Sequence, residues 1–377
     1  DEIIKFLFGN IYTLSNDNYV ISANFDSVNE IYRAGSVALI NGNNGLQIGE
    51  SFTGKNKSNR FGENIHILSN NKFVIGSPYD DNPQGAYNAG STVLMNGDTF
   101  EQIGEINYGD GLSDNIGSSS VVELSDSKFA VVSGRYSNGN FATDGLLEIF
   151  NLQTGAPTGE AIHSTNIDNS NTRVGALTML PNRNFIISSS YNNANGIYES
   201  GSAQLFDGEL ISQIGNTIYG ETKYDRLSNK GILTLKNNNY LICSDKVDVN
   251  GIIDAGSIHL VNGVSGEQIG ETISGLINYD RIGTMAMVYT SVYPLNNDNF
   301  VVVSPHQTSE DIINAGTVKV YDGETANLIE SKYIGTTTGD LEYARIIKSD
   351  NFDYYILSAR KSDINGVDSG MVRLFLP

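Results

Sequence analysis

Short apolar runs, some alternating and some continuous, recur along the whole chain between clusters of Gly, Asn, Asp and Ser, the pattern of β-strands bounded by tight turns. Four such runs follow one another as ENIHILS (63–69), KFVIGS (72–77), STVLMNG (91–97) and EQIGEIN (101–107). Turn residues separate the first two: SNN (69–71) here, and SDS (125–127), PNR (181–183) and KNN (236–238) in later copies. The third and fourth are joined by NGDTF, DGEL, NGVSG or DGETAN, again turn chemistry. The other two connections are long, as in PYDDNPQGAYNAG (78–90) and YGDGLSDNIG (108–117). In an up-and-down antiparallel sheet alternate connections emerge on the same side, so both long loops share one face. Functional side chains are expected on that face.

The set of four runs is one unit of a repeat. The phrase DAGSIHLVNG (254–263) returns as NAGTVKVYDG (314–323), and more loosely as RAGSVALING (33–42), NAGSTVLMNG (88–97), TDGLLEIFNL (143–152), ESGSAQLFDG (199–208) and DSGMVRLFLP (368–377). Its glycines, Gly35, Gly90, Gly145, Gly201, Gly256, Gly316 and Gly370, are spaced by 55, 55, 56, 55, 60 and 54 residues, a period suited to a four-stranded propeller blade. The fold predicted is all-β: a seven-bladed β-propeller of four-stranded antiparallel blades forming a single domain over 1–377. Its blades are expected at approximately 7–59, 60–114, 115–171, 172–225, 226–280, 281–340 and 341–377 plus 1–6. The seventh unit ends after its third strand, and DEIIKF (1–6) occupies the slot of a fourth. The N-terminal strand is therefore expected to close the ring and to cover an otherwise bare sheet edge.

The stretch RFGENIHILSNNKFVIGSPYDDNPQGAYNAGSTVLMNG (60–97) resembles the FG-GAP repeat of integrin-α-type β-propellers, with Phe61-Gly62 as its FG and Gly76-Ser77-Pro78 in place of GAP. It is also similar to repeats of bacterial surface proteins of the filamentous-adhesin type. The resemblance implies a propeller used for adhesion. Integrin-type blades often carry a calcium loop between their first two strands, and here that hairpin is only SNN or KNN, so no metal site and no cofactor is expected. Asp248, Asp254, Asp363 and Asp368 are the nearest calcium candidates, in DVNGIIDAG and SDINGVDSG.

Charge narrows the partners. With 23 Lys and Arg against 43 Asp and Glu the net charge is −20, which opposes binding to a phosphate backbone. No apolar run is long enough to cross a bilayer as a helix, and no signal-peptide pattern is present. The single cysteine, Cys243 in YLICS, reads as a buried thiol. The setting expected is secreted or cell surface, with the chain a monomer or part of a larger surface protein.

Comparing units separates scaffold from site without any homologue. The anchor glycine and the serine ending the second strand (Ser77, Ser133, Ser189, Ser244, Ser304, Ser358) recur and read as structural. Tyr32, Tyr87 and Tyr198, three residues before the anchor glycine, read as packing. Arginines opening units, Arg60, Arg173, Arg226, Arg281 and Arg345, are expected to pair with carboxylates between adjacent blades or to line a channel mouth, with Asp225 and Asp280 beside two of them. The position two beyond the serine varies, as Phe25, Tyr79, Arg135, Tyr191, Lys246, His306 and Arg360. From Tyr79 to Arg360 these are the ligand-binding candidates, combining aromatic and cationic character. The four histidines show no metal spacing and no nucleophile partner. The function expected is a non-catalytic binding or adhesion module for a protein or glycan, with no enzymatic activity. The alternative is a polysaccharide-acting hydrolase or lyase, or a lectin.

Overall fold

The computed structural model describes residues 9–118, 121–136, 144–163, 177–193, 196–284, 292–307, 312, 314–341, 344–348, 355–359 and 370–375. Every regular element among them is a strand. The first repeat forms β1 (Asn10–Thr13), β2 (Tyr19–Ala23), β3 (Ser36–Ile40) and β4 (Gln47–Thr53), and the second forms β5 (Asn64–Ile67), β6 (Lys72–Ser77), β7 (Ser91–Asn96) and β8 (Gln102–Tyr108). The third gives β9 (Val121–Glu123), β10 (Lys128–Tyr136), β11 (Asp144–Asn151) and β12 (Pro157–His163), and the fourth β13 (Leu177–Met179), β14 (Phe185–Ser189), β15 (Ser202–Phe206) and β16 (Gln213–Tyr219). Next come β17 (Gly231–Thr234), β18 (Tyr240–Ser244), β19 (Ser257–Val261) and β20 (Gln268–Ser274), then β21 (Val292–Pro294), β22 (Phe300–Ser304), β23 (Thr317–Tyr321) and β24 (Leu328–Ile334). The last are β25 (Arg345–Lys348), β26 (Tyr355–Ala359) and β27 (Met371–Phe375).

Each repeat is its own sheet, with strands in sequence order and every neighbouring pair antiparallel where the register is defined. Six sheets have four strands; the seventh has three among the described residues, and the segment expected to complete it, 1–6, lies outside them. No helix among the described residues is long and apolar enough to cross a membrane.

The chain divides into two compact units, Asp1–Leu177 and Thr178–Pro377. Within the first, the faces of consecutive sheets meet in apolar layers. Val37 and Leu39 of β3 pack with Phe73, Ile75 and Met95, and Val74 and Leu94 pack in turn with Phe129, Val131 and Phe150. The second unit repeats the arrangement through Ile186, Leu205, Tyr240 and Ile242, then Leu241, Cys243, Ile258, Phe300 and Val302, then Val301, Val318, Tyr355 and Leu357. Inner strands are buried on both sides, which is why β3, β6 and β18 read as continuous apolar runs.

Polar residues in the tight hairpins stitch neighbouring sheets together. The Asn or Asp that opens each third-to-fourth turn accepts the backbone N–H groups two and three residues on, as Asn96 does from Asp98 and Thr99 (2.8 and 3.2 Å) and Asp322 from Glu324 and Thr325 (both 2.8 Å). The glycine that follows serves a different end. Its carbonyl accepts two asparagine amides from the first hairpin of the preceding sheet: Asn16 and Asn18 on Gly97, Asn182 and Asn184 on Gly263, Asn237 and Asn239 on Gly323 (2.8–3.2 Å). The turns with minimal length are thus spent on holding the scaffold.

Candidate functional site

Among the described residues, the two long connections of a repeat come together, as alternation of strand direction requires. The loop between second and third strands is closed by the anchor glycine, whose N–H donates to the carbonyl of Asp26, Asp80, Asn192, Val247 or Gln307 at 2.9–3.1 Å. In most copies the side chain at that position also bonds the hydroxyl just past the glycine: Asp26 with Ser36 (3.1 Å), Asp80 with Ser91 (2.9 Å), Asn192 with Ser202 (3.2 Å) and Gln307 with Thr317 (2.6 Å). The loop leading into the next repeat lies alongside. Arg60, Asn115, Arg226 and Arg281 donate their N–H to Arg33, Asn88, Glu199 and Asp254 at 3.1–3.2 Å, and both members of each pair have φ near +50°. The next residues, Phe61, Ile116, Leu227 and Ile282, donate to Ala34, Ala89, Ser200 and Ala255 at 2.8–3.1 Å.

A buried aspartate fixes the second of these loops. Five residues after Gly109, Gly220, Gly275 and Gly335 stand Asp114, Asp225, Asp280 and Asp340, all with essentially no exposure. Their carboxylates accept loop N–H groups: Asp114 from Gly111 (2.7 Å), Asp225 from Glu221 and Thr222 (2.8 and 2.6 Å), Asp280 from Leu276 (3.1 Å), Asp340 from Thr336 and Thr337 (2.6 and 3.0 Å). Asp225 and Asp280 are therefore loop clamps, not partners of the arginines beside them. The arginines pair across repeats instead: Arg226 places Nε and Nη2 at 2.8 and 2.5 Å from Glu199 Oε2, and Arg281 Nη2 lies 2.9 Å from Asp254 Oδ2. Arg60 lies 3.7 Å from Glu63. Arg345 does not belong to this set; it opens β25 itself, ten residues after Gly335, whereas the other three stand six residues after their glycine. Arg173 lies outside the described residues.

The ligand-binding candidates follow their second strands on this face, and the structure does not gather them into one pocket. Tyr79 and Lys246 are half-buried, Tyr191 and His306 exposed. Arg135 lies within β10, its side chain outside the described residues, as is Arg360 altogether. Instead, two groups that sequence reading kept apart meet. The Arg60 guanidinium lies 4.6 Å from the Tyr79 ring centroid and 5.1 Å from that of Phe25, and Arg226 lies 4.9 Å from that of Tyr191. Tyr32, Tyr87 and Tyr198 are not packing residues, because all three are exposed. Their carbonyls accept loop N–H groups from Ser58, Ser113 and Tyr224, which turns the rings outward. Tyr198 meets Tyr224 edge to face at 5.4 Å, with Lys223 over both rings.

Other groups are engaged. Ser77 and Ser244 accept the backbone N–H of Gly62 and Ser228, a structural role in keeping with their recurrence. Asp248 accepts the N–H of Asp254, whose own carboxylate holds Arg281, while Asp363 and Asp368 lie outside the described residues. His259 contacts Gln268 and Ser257, and burial holds its pKa below the usual histidine range. Burial pushes the Cys243 thiol up to about 12, which keeps it unreactive at neutral pH. A cavity of about 300 Å³ in the second unit is lined by Thr272, Ser304, Gln307, Lys319 and Tyr321. Lys319 is held below the usual lysine range by burial, against the opposing pull of Asp280, and donates to Gln307 at 3.3 Å. Lys319 also reveals a second variable position, three residues past the anchor glycine: Ala38, Val93, Glu148, Gln204, His259, Lys319 and Arg373. Aligning repeats on the glycine would have exposed it, as it would the buried aspartates.

Residues 13–63 and 294–331 each match the model of one repeat of unknown function (DUF5650). The first match ends just past Phe61-Gly62, so it includes both long loops of the first repeat. No curated protein matches the chain. Similar solved structures include the β-propeller domain of the Trilobed protease from Pyrococcus furiosus (10% identity, TM-score 0.40, 98% of this chain and 92% of that one). The Dos1 propeller is another (13%, 0.45, 97% and 78%), as is the Pyrococcus horikoshii acylaminoacyl peptidase (10%, 0.40, 98% and 51%). The expectation of no enzymatic activity is corrected here: a protease propeller and a peptidase stand among these neighbours, and that expectation is withdrawn. The FG-GAP and adhesin resemblances rest on the sequence motifs alone.

Proposed function

We propose that the chain is a binding module that recognises a protein or glycan through the face built by its long loops. The observation that carries this reading is the contrast between the two kinds of connection. Tight hairpins use their Asn and Asp side chains to bond the scaffold, whereas the long loops, closed by main-chain bonds and buried carboxylates, turn aromatic and cationic side chains outward. Tyr198, Tyr224 and Lys223 form one such group in the second unit, and Tyr191 with Arg226 another. Replacing Tyr191 and Tyr198 together by Ala is expected to weaken a glycan or protein hit from an array screen at least tenfold, about 1.4 kcal/mol, with little change in melting temperature. Hydrogen exchange on the bound protein should slow in 191–201 and 220–226. Protection confined to the tight hairpins would overturn the reading.

The proposal includes a ring of seven blades closed by residues 1–6 beside β27, and a secreted or surface setting. Support for closure comes from β27, where Val372 and Leu374 are 75% and 56% exposed although their counterparts Val318 and Val320 are buried. Deleting residues 1–6 is expected to lower the melting temperature by several degrees. An unchanged melting curve would exclude this closure.

A further inference from the structure

Four side chains of the fourth repeat and the loop after it, Tyr191, Tyr198, Glu199 and Arg226, correspond position by position to Phe25, Tyr32, Arg33 and Arg60 at the first. Ring chemistry is kept, the second arginine is kept, and the main-chain bond between the paired residues is kept, at 3.1 Å in one case and 3.2 Å in the other. The charge difference lies at a single place: Glu199 is replaced by Arg33. Where the two loops meet elsewhere the pair is complementary, as Glu199 with Arg226, Asp254 with Arg281, or Asn115, whose side-chain amide donates to the backbone carbonyl of Asn88. Only in the first repeat, among these four, do two like charges face each other.

The surroundings of Arg33 and Arg60 add cations, and among the described residues they give Arg33 no paired carboxylate. Both guanidiniums stand against one ring, 5.4 and 5.1 Å from the centroid of Phe25, and Arg33 lies 5.1 Å from that of Tyr32. Their loop reads GKNKSNR, with Lys55 and Lys57, where the corresponding loops read GDGLSDN, GETKYDR and GLINYDR. The nearby carboxylates are committed: Asp26 to Ser36, Asp80 to Ser91 and Asn59, and Glu63 to Asn24 as well as to Arg60 at 3.7 Å. Among the described residues no carboxylate pairs with Arg33. In a chain of net charge −20 the two loops, 24–35 and 54–60, carry four cations, Arg33, Lys55, Lys57 and Arg60, against two carboxylates, Asp26 and Glu30.

Resting on the long-loop face being the binding face, we infer that Arg33 and Arg60 form a subsite for a carboxylated sugar residue of a glycan. The ligand's carboxylate supplies the counter-charge that Glu199 and Asp254 supply from within the chain elsewhere, and guanidinium forks match a carboxylate in geometry. Phe25 and Tyr32 are 44% and 52% exposed, which leaves ring surface for the apolar face of the sugar beside the charge. The chain's overall acidity selects against densely charged polyanions and leaves this patch suited to one charge per sugar.

The test titrates the full chain with oligogalacturonate at low ionic strength, beside its neutral methyl ester and an oligoglutamate peptide. Oligogalacturonate is expected to bind and to slow hydrogen exchange in 25–35 and 54–61, with the ester and the peptide each at least tenfold weaker. Arg33→Glu rebuilds the ion pair seen at Glu199–Arg226, so it should keep or raise the melting temperature while binding falls at least tenfold. Arg33→Gln removes the charge without adding another and should also lose binding, which keeps the test decisive if the first variant folds poorly. Equal binding by the ester, equal binding by the peptide, or undiminished binding by Arg33→Gln overturns the subsite. A neutral glycan that protects 191–201 while Arg33 variants bind it normally would sink the subsite and leave the broader reading standing. Failure of every probe to protect any long loop would sink both.

Discussion

Gly256→Ala is expected to be among the most damaging single substitutions in the protein, lowering stability by about 3 kcal/mol or more. Gly256 holds φ +77°, a left-handed conformation that costs an L residue roughly 1–2 kcal/mol. A Cβ there would also stand 2.1 Å from the carbonyl oxygen of Ile282 and 2.6 Å from its nitrogen. These are backbone atoms of the loop that opens the next repeat, so relief requires moving a main chain already bonded through Ile282 N–H to Ala255. Overpacking of this kind adds about 1–3 kcal/mol. In a protein of this size the melting temperature should fall by about 4 °C or more. Gly251→Ala is the control: its φ is +80°, but a Cβ there meets nothing, so only the conformational cost of roughly 1–2 kcal/mol remains. Calorimetry on the two variants distinguishes them, and equal shifts would refute a packing role for the anchor glycine.

That crossing explains how much of the fold could be read from sequence. The glycine recurs because six of its seven copies, all but Gly145, are left-handed, and at Gly35, Gly90, Gly201 and Gly256 the next repeat's backbone passes within bond-forming reach. The phrase following it recurs because third strands such as β3, β7 and β19 are buried on both faces. The Gly of QIGE recurs for a related reason: Gly49, Gly104, Gly215 and Gly270 have positive φ at a register shift in the outer strand. Period, strand limits and the sharing of one face by the long loops were therefore legible. Side-chain pairing across loops was not, because residues such as Arg33 and Arg60 are 27 positions apart and nothing local marks them as neighbours. The tyrosines before the anchor glycine were misread for the same reason. The carbonyl at that position accepts a loop N–H whether Tyr or, as at Ile253, another residue stands there, so the backbone role says nothing of where the ring goes.

Asp225→Ala is expected to match or exceed the loss at Gly256. In sequence GETKYDR looks like any solvated turn, yet Asp225 is fully buried and both carboxylate oxygens are in use. Oδ2 accepts from the N–H of Glu221 and Thr222, while Oδ1 accepts from the Thr222 hydroxyl at 2.6 Å and from the N–H of Asp248 at 3.1 Å. Asp248 belongs to the neighbouring second-to-third-strand loop, so this one side chain ties two loops together. Truncation leaves three backbone donors and a hydroxyl without an acceptor, and each buried donor left unmet costs about 1–3 kcal/mol. A loss of about 3 kcal/mol or more follows even when some donors regain water. Asp280 supplies the comparison within the same chain: among the described residues its Oδ2 accepts a single backbone N–H, from Leu276, and its Oδ1 has no hydrogen-bond partner. Burial already raises the Asp280 pKa, so its ionised form near neutral pH works against the folded state. Asp280→Ala is therefore expected to cost less than Asp225→Ala. Hydrogen exchange should report the difference locally, with the amides of 221, 222 and 248 losing protection in Asp225→Ala. Retention of protection at all three, or an Asp280 variant less stable than its Asp225 counterpart, would show that the loop is held by its main-chain bonds and not by the buried carboxylate.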